Sequence, residues 1–390
     1  MDDRLYYKDS YLRTCSARIL KKRNDERGLW LQFEKNIFYP GGGGQAPDKG
    51  SIGNSNLVEI LEEDGIIWHR IMSGQLPANA DEVQVKIDWS LRYRNMQQHT
   101  GQHLLSHVLW NAGLKTVSVH LGESYTMIEV DGLLPDDLLP EKIENEANCL
   151  IRKALPVKSY FVSQEDVNNL PLRKFPGERE KLRIVEIEGM DYSACGGTHV
   201  KNTAEIGLIK YTGMEKIRGH ARLRFLIGKT AYAYFKQLHT TSAQLKDTLQ
   251  TGPEQYAFRV VKMQEEISML KKETARLKKY YQRYLTDQLL QRQNNEENII
   301  VEHLSDVDFE DIRESAKSLA AEYGKISFIY GAGRFCLCSP DDNAFNASGF
   351  LREYGKRLSL KGGGPPGFMQ GVYEELDTVY LEKVLKEYKR

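Results

Sequence analysis

Apolar and polar residues alternate in short runs over residues 1–90, as in Leu29-Trp30-Leu31-Gln32-Phe33, Ile66-Ile67-Trp68-His69-Arg70-Ile71 and Val83-Gln84-Val85-Lys86-Ile87. A period of two broken by Gly and polar turns is the mark of half-buried strands, and it predicts a small all-β unit, a β-barrel or sandwich. From about 90 to 112 the period lengthens, with Leu91, Met96, Leu104, Leu105, Val108 and Leu109 at helical spacing. Such a helix would bring His99, His103 and His107 onto one stripe. Residues 113–227 mix strand candidates at 157–162, 183–187 and 223–227 with a helix near 137–154, an α+β pattern. Two amphipathic helices follow, at 230–250 and 256–284, separated by Thr251-Gly252-Pro253, and predict an antiparallel hairpin or coiled coil. Strand candidates at 298–301, 326–330 and 334–338, a glycine turn at Lys361-Gly362-Gly363-Gly364-Pro365-Pro366-Gly367 and a last helix predict a small α/β domain. The expected fold is therefore α+β in four parts: a β-barrel (1–90), an α+β domain (91–228), a helical hairpin (229–296) and a C-terminal glycine-loop α/β domain (297–390).

Length agrees with several domains, because 390 residues exceed what one ordinary core serves. With 41% apolar and 28% charged residues the composition is that of a folded globular chain. Lys plus Arg and Asp plus Glu number 54 each, which excludes a globally basic nucleic-acid coat but not a local basic face. One such face is the second hairpin helix, where eight Lys or Arg against three Asp or Glu over 256–284 leave +5. It reads either as a solvated coiled-coil surface or as a phosphate-facing one. The charged start Met1-Asp2-Asp3-Arg4 lacks the apolar core of a secretory signal, and no run of about 18 apolar residues occurs, so the expected location is cytoplasmic, away from membranes. Five scattered cysteines are too few for a disulfide framework.

The chemistry concentrates in His99-Thr100-Gly101-Gln102-His103 and Cys195-Gly196-Gly197-Thr198-His199. Each is a pair of metal donors four residues apart, and imidazole with thiolate suits Zn2+. One pair alone would read as ordinary surface or core; two pairs, one wrapped in glycine, point to one shared site. A four-ligand site is also what a purely structural zinc would use. The His-Glu-x-x-His signature of zinc proteases is absent, since Thr100 stands where the general base would be. Cys195 as a nucleophile with His199 as base is a weaker reading, because spacing in sequence says nothing of their geometry.

Together these motifs resemble a known family. Gly42-Gly43-Gly44-Gln45 after Phe38-Tyr39, the two histidines inside Gln98-His99-Thr100-Gly101-Gln102-His103-Leu104-Leu105-Ser106, and Arg183-Ile184-Val185-Glu186-Ile187 leading to Asp191 and Cys195 to His199 look like the editing domain of alanyl-tRNA synthetase. They are also similar to the editing domain of threonyl-tRNA synthetase. The order along the chain resembles the long free-standing alanyl-tRNA editing proteins of the AlaX type. The resemblance implies a zinc-dependent hydrolase that deacylates mischarged tRNA(Ala) carrying Ser, or Gly, without aminoacylation activity, since no aminoacylation domain precedes the β unit. It implies His99, His103, Cys195 and His199 as metal ligands and His99, His103 and Gln45 as catalytic residues. Gly42, Gly43, Gly44, Gln45, Asn36, Asp191 and Arg183 are implied as substrate contacts. Two positions depart from the family: Asn36 replaces the usual Thr, and Pro365 follows Gly362-Gly363-Gly364 where Arg is usual. Left open are a non-catalytic zinc-stabilised module binding tRNA or a synthetase, a threonyl-type tRNA substrate, a homodimer through the hairpin or last domain, and whether zinc activates water or only organises the pocket.

Overall fold

The computed structural model describes residues 3–72, 81–135, 140–175, 177, 181–292, 298–340 and 345–388. The chain forms two compact units, residues 1–245 and 246–390. The expected boundary at 296/297 lies outside the described residues.

In the first unit, strands β1 (Thr14–Asp25), β2 (Gly28–Phe33), β3 (Gly50–Ile52), β4 (Ser55–Glu63), β5 (Ile66–Ile71) and β6 (Glu82–Ile87) pair in the order β1-β2-β5-β4-β3-β6, and β6 returns to β1, so the ladder closes. Alternation sets which side chains point inward: Val83, Val85 and Ile87 of β6 are buried while Glu82, Gln84 and Lys86 are exposed. The inward residues form one core with Leu31, Phe33, Ile37, Phe38, Ile67 and Ile71.

Helix α1 (Trp89–Asn111) follows directly, capped by the Asp88 carboxylate, which accepts from the Leu91 N–H at 3.1 Å. It is buried without interruption from Asn95 to Ser106. Around it stand β7 (Thr116–Leu121), β8 (Thr126–Val130), α2 (Pro140–Arg152), β9 (Val157–Ser163), β10 (Lys181–Ile187), β11 (Asp191–Ala194), β12 (Ile209–Ile217) and β13 (His220–Ile227). The strands form two sheets, ordered β12-β13-β8-β7 and β9-β10-β11. Leu104, Leu105, Val108 and Leu109 pack with Ile128, Leu223, Phe225 and Ile227 into a second core. Helix α3 (Lys229–Leu249) follows β13.

A buried ion pair joins barrel to helix. Arg92 Nε donates to both Asp48 oxygens at 2.9 and 3.0 Å, and its Nη atoms donate to the carbonyls of Ser10 and Ile37 at 2.9 and 2.6 Å. Asp48 also accepts from the Tyr39 N–H at 2.6 Å. The glycine loop between Tyr39 and Asp48 is thus tied at its base to the helix that carries His99 and His103.

In the second unit, α4 (Tyr256–Gln291) extends past the expected end at 284 because Leu285 and Leu289 carry its apolar stripe into a core with Ile300, Ile312 and Leu319. Strands β14 (Ile299–His303), β15 (Ile326–Gly331), β16 (Arg334–Cys338), β17 (Leu360–Gly363) and β18 (Phe368–Tyr373) form a mixed sheet ordered β14-β15-β16-β18-β17, with helices α5 (Phe309–Tyr323), α6 (Ala347–Tyr354) and α7 (Thr378–Tyr388). The glycines expected in a turn at 361–367 are partly strand. Gly362 opposes Gly371 across β17 and β18, and a Cβ on Gly362 would stand 2.2 Å from the Gln370 carbonyl oxygen. Here glycine permits close backbone approach rather than a bend. No helix among the described residues is long and apolar enough to cross a membrane.

Candidate metal centre

His99 and His103 face one way on α1 because residues four apart are neighbours on a helix. Cys195 and His199 lie on the loop after β11, held there by Arg183 on β10, whose Nη1 donates to the carbonyls of Cys195 and Gly197 at 2.8 and 2.9 Å. One donor atom from each of the four residues falls within 4.8 Å of every other. Cys195 Sγ stands 3.3 Å from His99 Nε2 and 3.4 Å from His199 Nε2. His107 is not part of the cluster; it pairs with Asn111 at 3.0 Å. Each step of four residues turns about 40° past a full revolution, so two steps carry His107 off the stripe.

The outer ring nitrogens are held as tightly as the inner ones are aimed. His99 Nδ1 lies 2.8 Å from Gln45 Oε1, which also accepts from the Thr198 N–H at 3.0 Å, while Gln45 Nε2 donates to Thr198 Oγ1 at 2.8 Å. His199 Nδ1 lies 3.1 Å from Thr100 Oγ1, which accepts from the Val200 N–H at 3.2 Å. His103 Nδ1 faces the Asp191 carboxylate at 3.4 Å. Asp191 is itself held by Arg173 and by Ser193 Oγ at 2.9 Å. Outer partners of this kind fix the tautomer and point Nε2 at the ion. Gly197 closes the arrangement: a Cβ there would lie 2.1 Å from His99 Cε1, so only glycine lets the loop pass.

The electrostatics favour a cation. Burial alone would raise the Cys195 thiol, yet the imidazoles of His99, His199 and His103 pull it well below its usual value. Burial, with the charge of His99, brings His199 down to about 3. For His103 burial works downward, but the Cys195 thiolate and the Asp191 carboxylate outweigh it and push it up to about 9. Asp191 is held well below the carboxylate range by His103 and Arg173 despite its burial. A bound cation would take the place of the proton this thiolate draws in.

An open cavity of about 680 Å³ adjoins the donors, lined by Gly43, His99, His103, Cys195 and Gly196, by Gln102, Ser106 and Trp110 of α1, and by β7. Gly41 to Gly44 all have positive φ, and Gly42 and Gln45 exchange two backbone hydrogen bonds of 3.0 Å around Gly43-Gly44. That tight turn requires glycine at its centre. Of the expected substrate contacts, Gly43 lines the cavity; Gly42 and Gly44 shape the turn. Gln45 stands behind His99, its Oε1 shared by His99 Nδ1 and the Thr198 N–H and one Nε2 hydrogen given to Thr198 Oγ1. Asp191 and Arg183 do not line this cavity; Asp191 faces His103, and Arg183 holds the loop that carries Cys195. Asn36 lies outside the lining residues, buried, with neither amide atom hydrogen-bonded. Thr100, Thr198, Arg173, Asp48 and Arg92 were given no role at the site by the sequence. The two threonines lie inside the donor motifs and are legible there; the other three are brought in from distant elements and leave no local signal.

A family model, the threonyl and alanyl tRNA synthetase second additional domain, matches residues 182–222, the stretch holding Cys195 and His199. Over 249 residues the chain is 39% identical to the alanyl-tRNA editing protein AlaX-L of Pyrococcus horikoshii, a match covering 61% of each chain. Over 382 residues it is 30% identical to the alanyl-tRNA editing protein Aarsd1-B of Xenopus laevis, covering 93% of this chain and 90% of the relative. The solved C-Ala domain from Aquifex aeolicus alanyl-tRNA synthetase, 26% identical, covers 24% of this chain and 91% of its own, with a TM-score of 0.22. By the near full-length match to Aarsd1-B, the chain belongs to the family of alanyl-tRNA editing proteins.

Proposed function

We propose that this protein hydrolyses the ester between a wrong amino acid and tRNA(Ala), with Ser, and secondarily Gly, in place of Ala, and that its four-donor centre holds zinc. The observation that carries the reading is the convergence of two donor pairs, 96 residues apart between His99 and Cys195, beside an open cavity. Two of the donor–donor edges also have the size zinc would give them. A tetrahedron built from Zn–N and Zn–S bonds has N···S edges of about 3.5 Å, close to the 3.3 and 3.4 Å found here.

When bound, zinc would supply Lewis-acid polarisation to an ester or water beside it. The chain's own residues do the rest. Gln45, Thr100 and Asp191 orient the three imidazoles. Gly43 and Gly196 present bare backbone to the cavity. Among the described residues lining the cavity there is no carboxylate, so no Asp or Glu stands ready as a general base. Four protein donors close the tetrahedron, which favours an ion that organises the pocket over one that carries the attacking water. Gln102, Ser106 and Thr116 form a polar rung, Gln102 Nε2 and Thr116 Oγ1 both donating to Ser106 Oγ, at 2.8 and 3.0 Å. Among the described residues the Ser106 O–H is the donor this rung leaves without an acceptor; a seryl hydroxyl can accept from it, whereas an alanyl methyl cannot.

The test is a deacylation panel with the zinc-loaded protein: Ser-tRNA(Ala), Gly-tRNA(Ala) and Ala-tRNA(Ala), with Ser-tRNA(Thr) as the control for a threonyl-type acceptor. Rapid release from Ser-tRNA(Ala) and slow release from Ala-tRNA(Ala) are expected. Equal rates, or none, would overturn the proposal.

A further inference from the structure

The stripe that α1 turns toward the cavity continues beyond the metal donors. His99, His103, Ser106 and Trp110 succeed one another at intervals of four, three and four residues, which is one face of a helix, and all four line the cavity. Burial changes along that face: His99, His103 and Ser106 are nearly inaccessible, whereas Trp110 is 41% exposed. A large, rigid indole therefore stands where the groove opens to solvent. Lys115 and Lys174 line the same cavity, both exposed, and neither is engaged by an acid among the described residues. Arg173, by contrast, is committed to Asp191.

Seven residues separate His103 from Trp110, about 10 Å along a helix axis. An aromatic face at that reach from an ester-binding centre, with two cations on the lining of the same cavity that no described acid engages, matches the chemistry of one terminal nucleotide, which offers a flat base and a phosphodiester. We propose that Trp110, Lys115 and Lys174 seat the 3′-terminal nucleotide of the RNA, its base stacked on the indole and its phosphate between the lysines. The ester it carries then lies along the wall from Ser106 to the metal donors. This deepens the hydrolase reading and rests on it. The chemistry calls for stacking rather than base-edge pairing, because a π face is what an indole reads.

Two readouts test the seat, and one of them does not need turnover. A microhelix ending in single-stranded ACCA should quench tryptophan fluorescence on saturation, an otherwise identical helix lacking the terminal A should quench far less, and Trp110→Phe should abolish the difference. In deacylation of Ser-tRNA(Ala), Trp110→Ala should lose about ten- to a hundredfold in kcat/KM, the equivalent of one stacked base, while Trp110→Phe keeps most of it and zinc stoichiometry stays at the parent value. Lys115→Gln should weaken binding and reduce the slope of log affinity against log salt by about one. A Trp110→Ala variant that deacylates like the parent, or quenching indifferent to the terminal nucleotide, overturns the proposal. So does tighter quenching by an acidic peptide than by the microhelix. Quenching that depends on the terminal A in a parent protein without deacylase activity would sustain the nucleotide seat and remove the hydrolase reading alone.

Discussion

Replacing Gln45 by Ala separates two roles that this residue could play. If its amide contacts substrate, the variant should keep its metal and lose affinity for the ester. The geometry favours a hold on His99 instead, because the side chain makes three hydrogen bonds of 2.8 to 3.0 Å, all to His99 or Thr198. Truncation strands two donors, the His99 Nδ1–H and the Thr198 N–H, on residues that are 2% and 0% exposed. An unsatisfied buried donor costs about 1–3 kcal/mol, so the pair should destabilise the zinc-loaded protein by about 2–6 kcal/mol where water does not enter. The share falling on His99 should appear as weakened metal binding, about ten- to a hundredfold for loss of an outer partner. Competition with a chromophoric chelator measures that affinity, and thermal unfolding with and without zinc measures stability. Gln45→Glu keeps an acceptor for both donors and should hold zinc much closer to the parent. A Gln45→Ala protein that binds zinc like the parent and shows only a raised KM would refute the placement of Gln45 behind the metal.

This distinction marks where sequence reading ends. The donors themselves were legible, because four residues on a helix or a tight loop give a local spacing that chemistry constrains. The strands were legible where one face meets a core, and Ile66–Ile71 falls where the alternation puts it. Gln45 was legible as a special residue after four glycines, but not as a partner of His99, since that pairing depends on how the barrel loop meets α1. The Arg92–Asp48 pair that sets this meeting left no trace in either local pattern: an Arg in an amphipathic helix and an Asp in a polar loop both read as surface. Asn36 shows the converse. A motif position implied a specificity contact, yet its amide is buried outside the cavity lining. The glycines at 362–364 were legible as a need for space, but not as the crossing of two strands.

Two further substitutions probe the scaffold. Gly197→Ala places a methyl within 2.1 Å of His99 Cε1 and 2.2 Å of Nδ1; overpacking of this kind costs about 1–3 kcal/mol. The His99 ring must move off its Gln45 bond, and chelator competition should show zinc loss together with a lower unfolding midpoint, whereas unchanged affinity would mean that the loop yields instead. Asp48→Leu leaves the Arg92 guanidinium, 0% exposed, without its counter-charge, and breaking one side of a buried pair costs about 3–5 kcal/mol. The double variant Asp48→Leu, Arg92→Met removes both charges, so it should unfold at a higher urea concentration than Asp48→Leu alone, even though it carries one more substitution. Since the pair ties the glycine loop to α1, the double variant should regain stability without regaining full zinc affinity. Recovery of both together would mean that the ion pair contributes only stability, and that the loop finds α1 through packing alone.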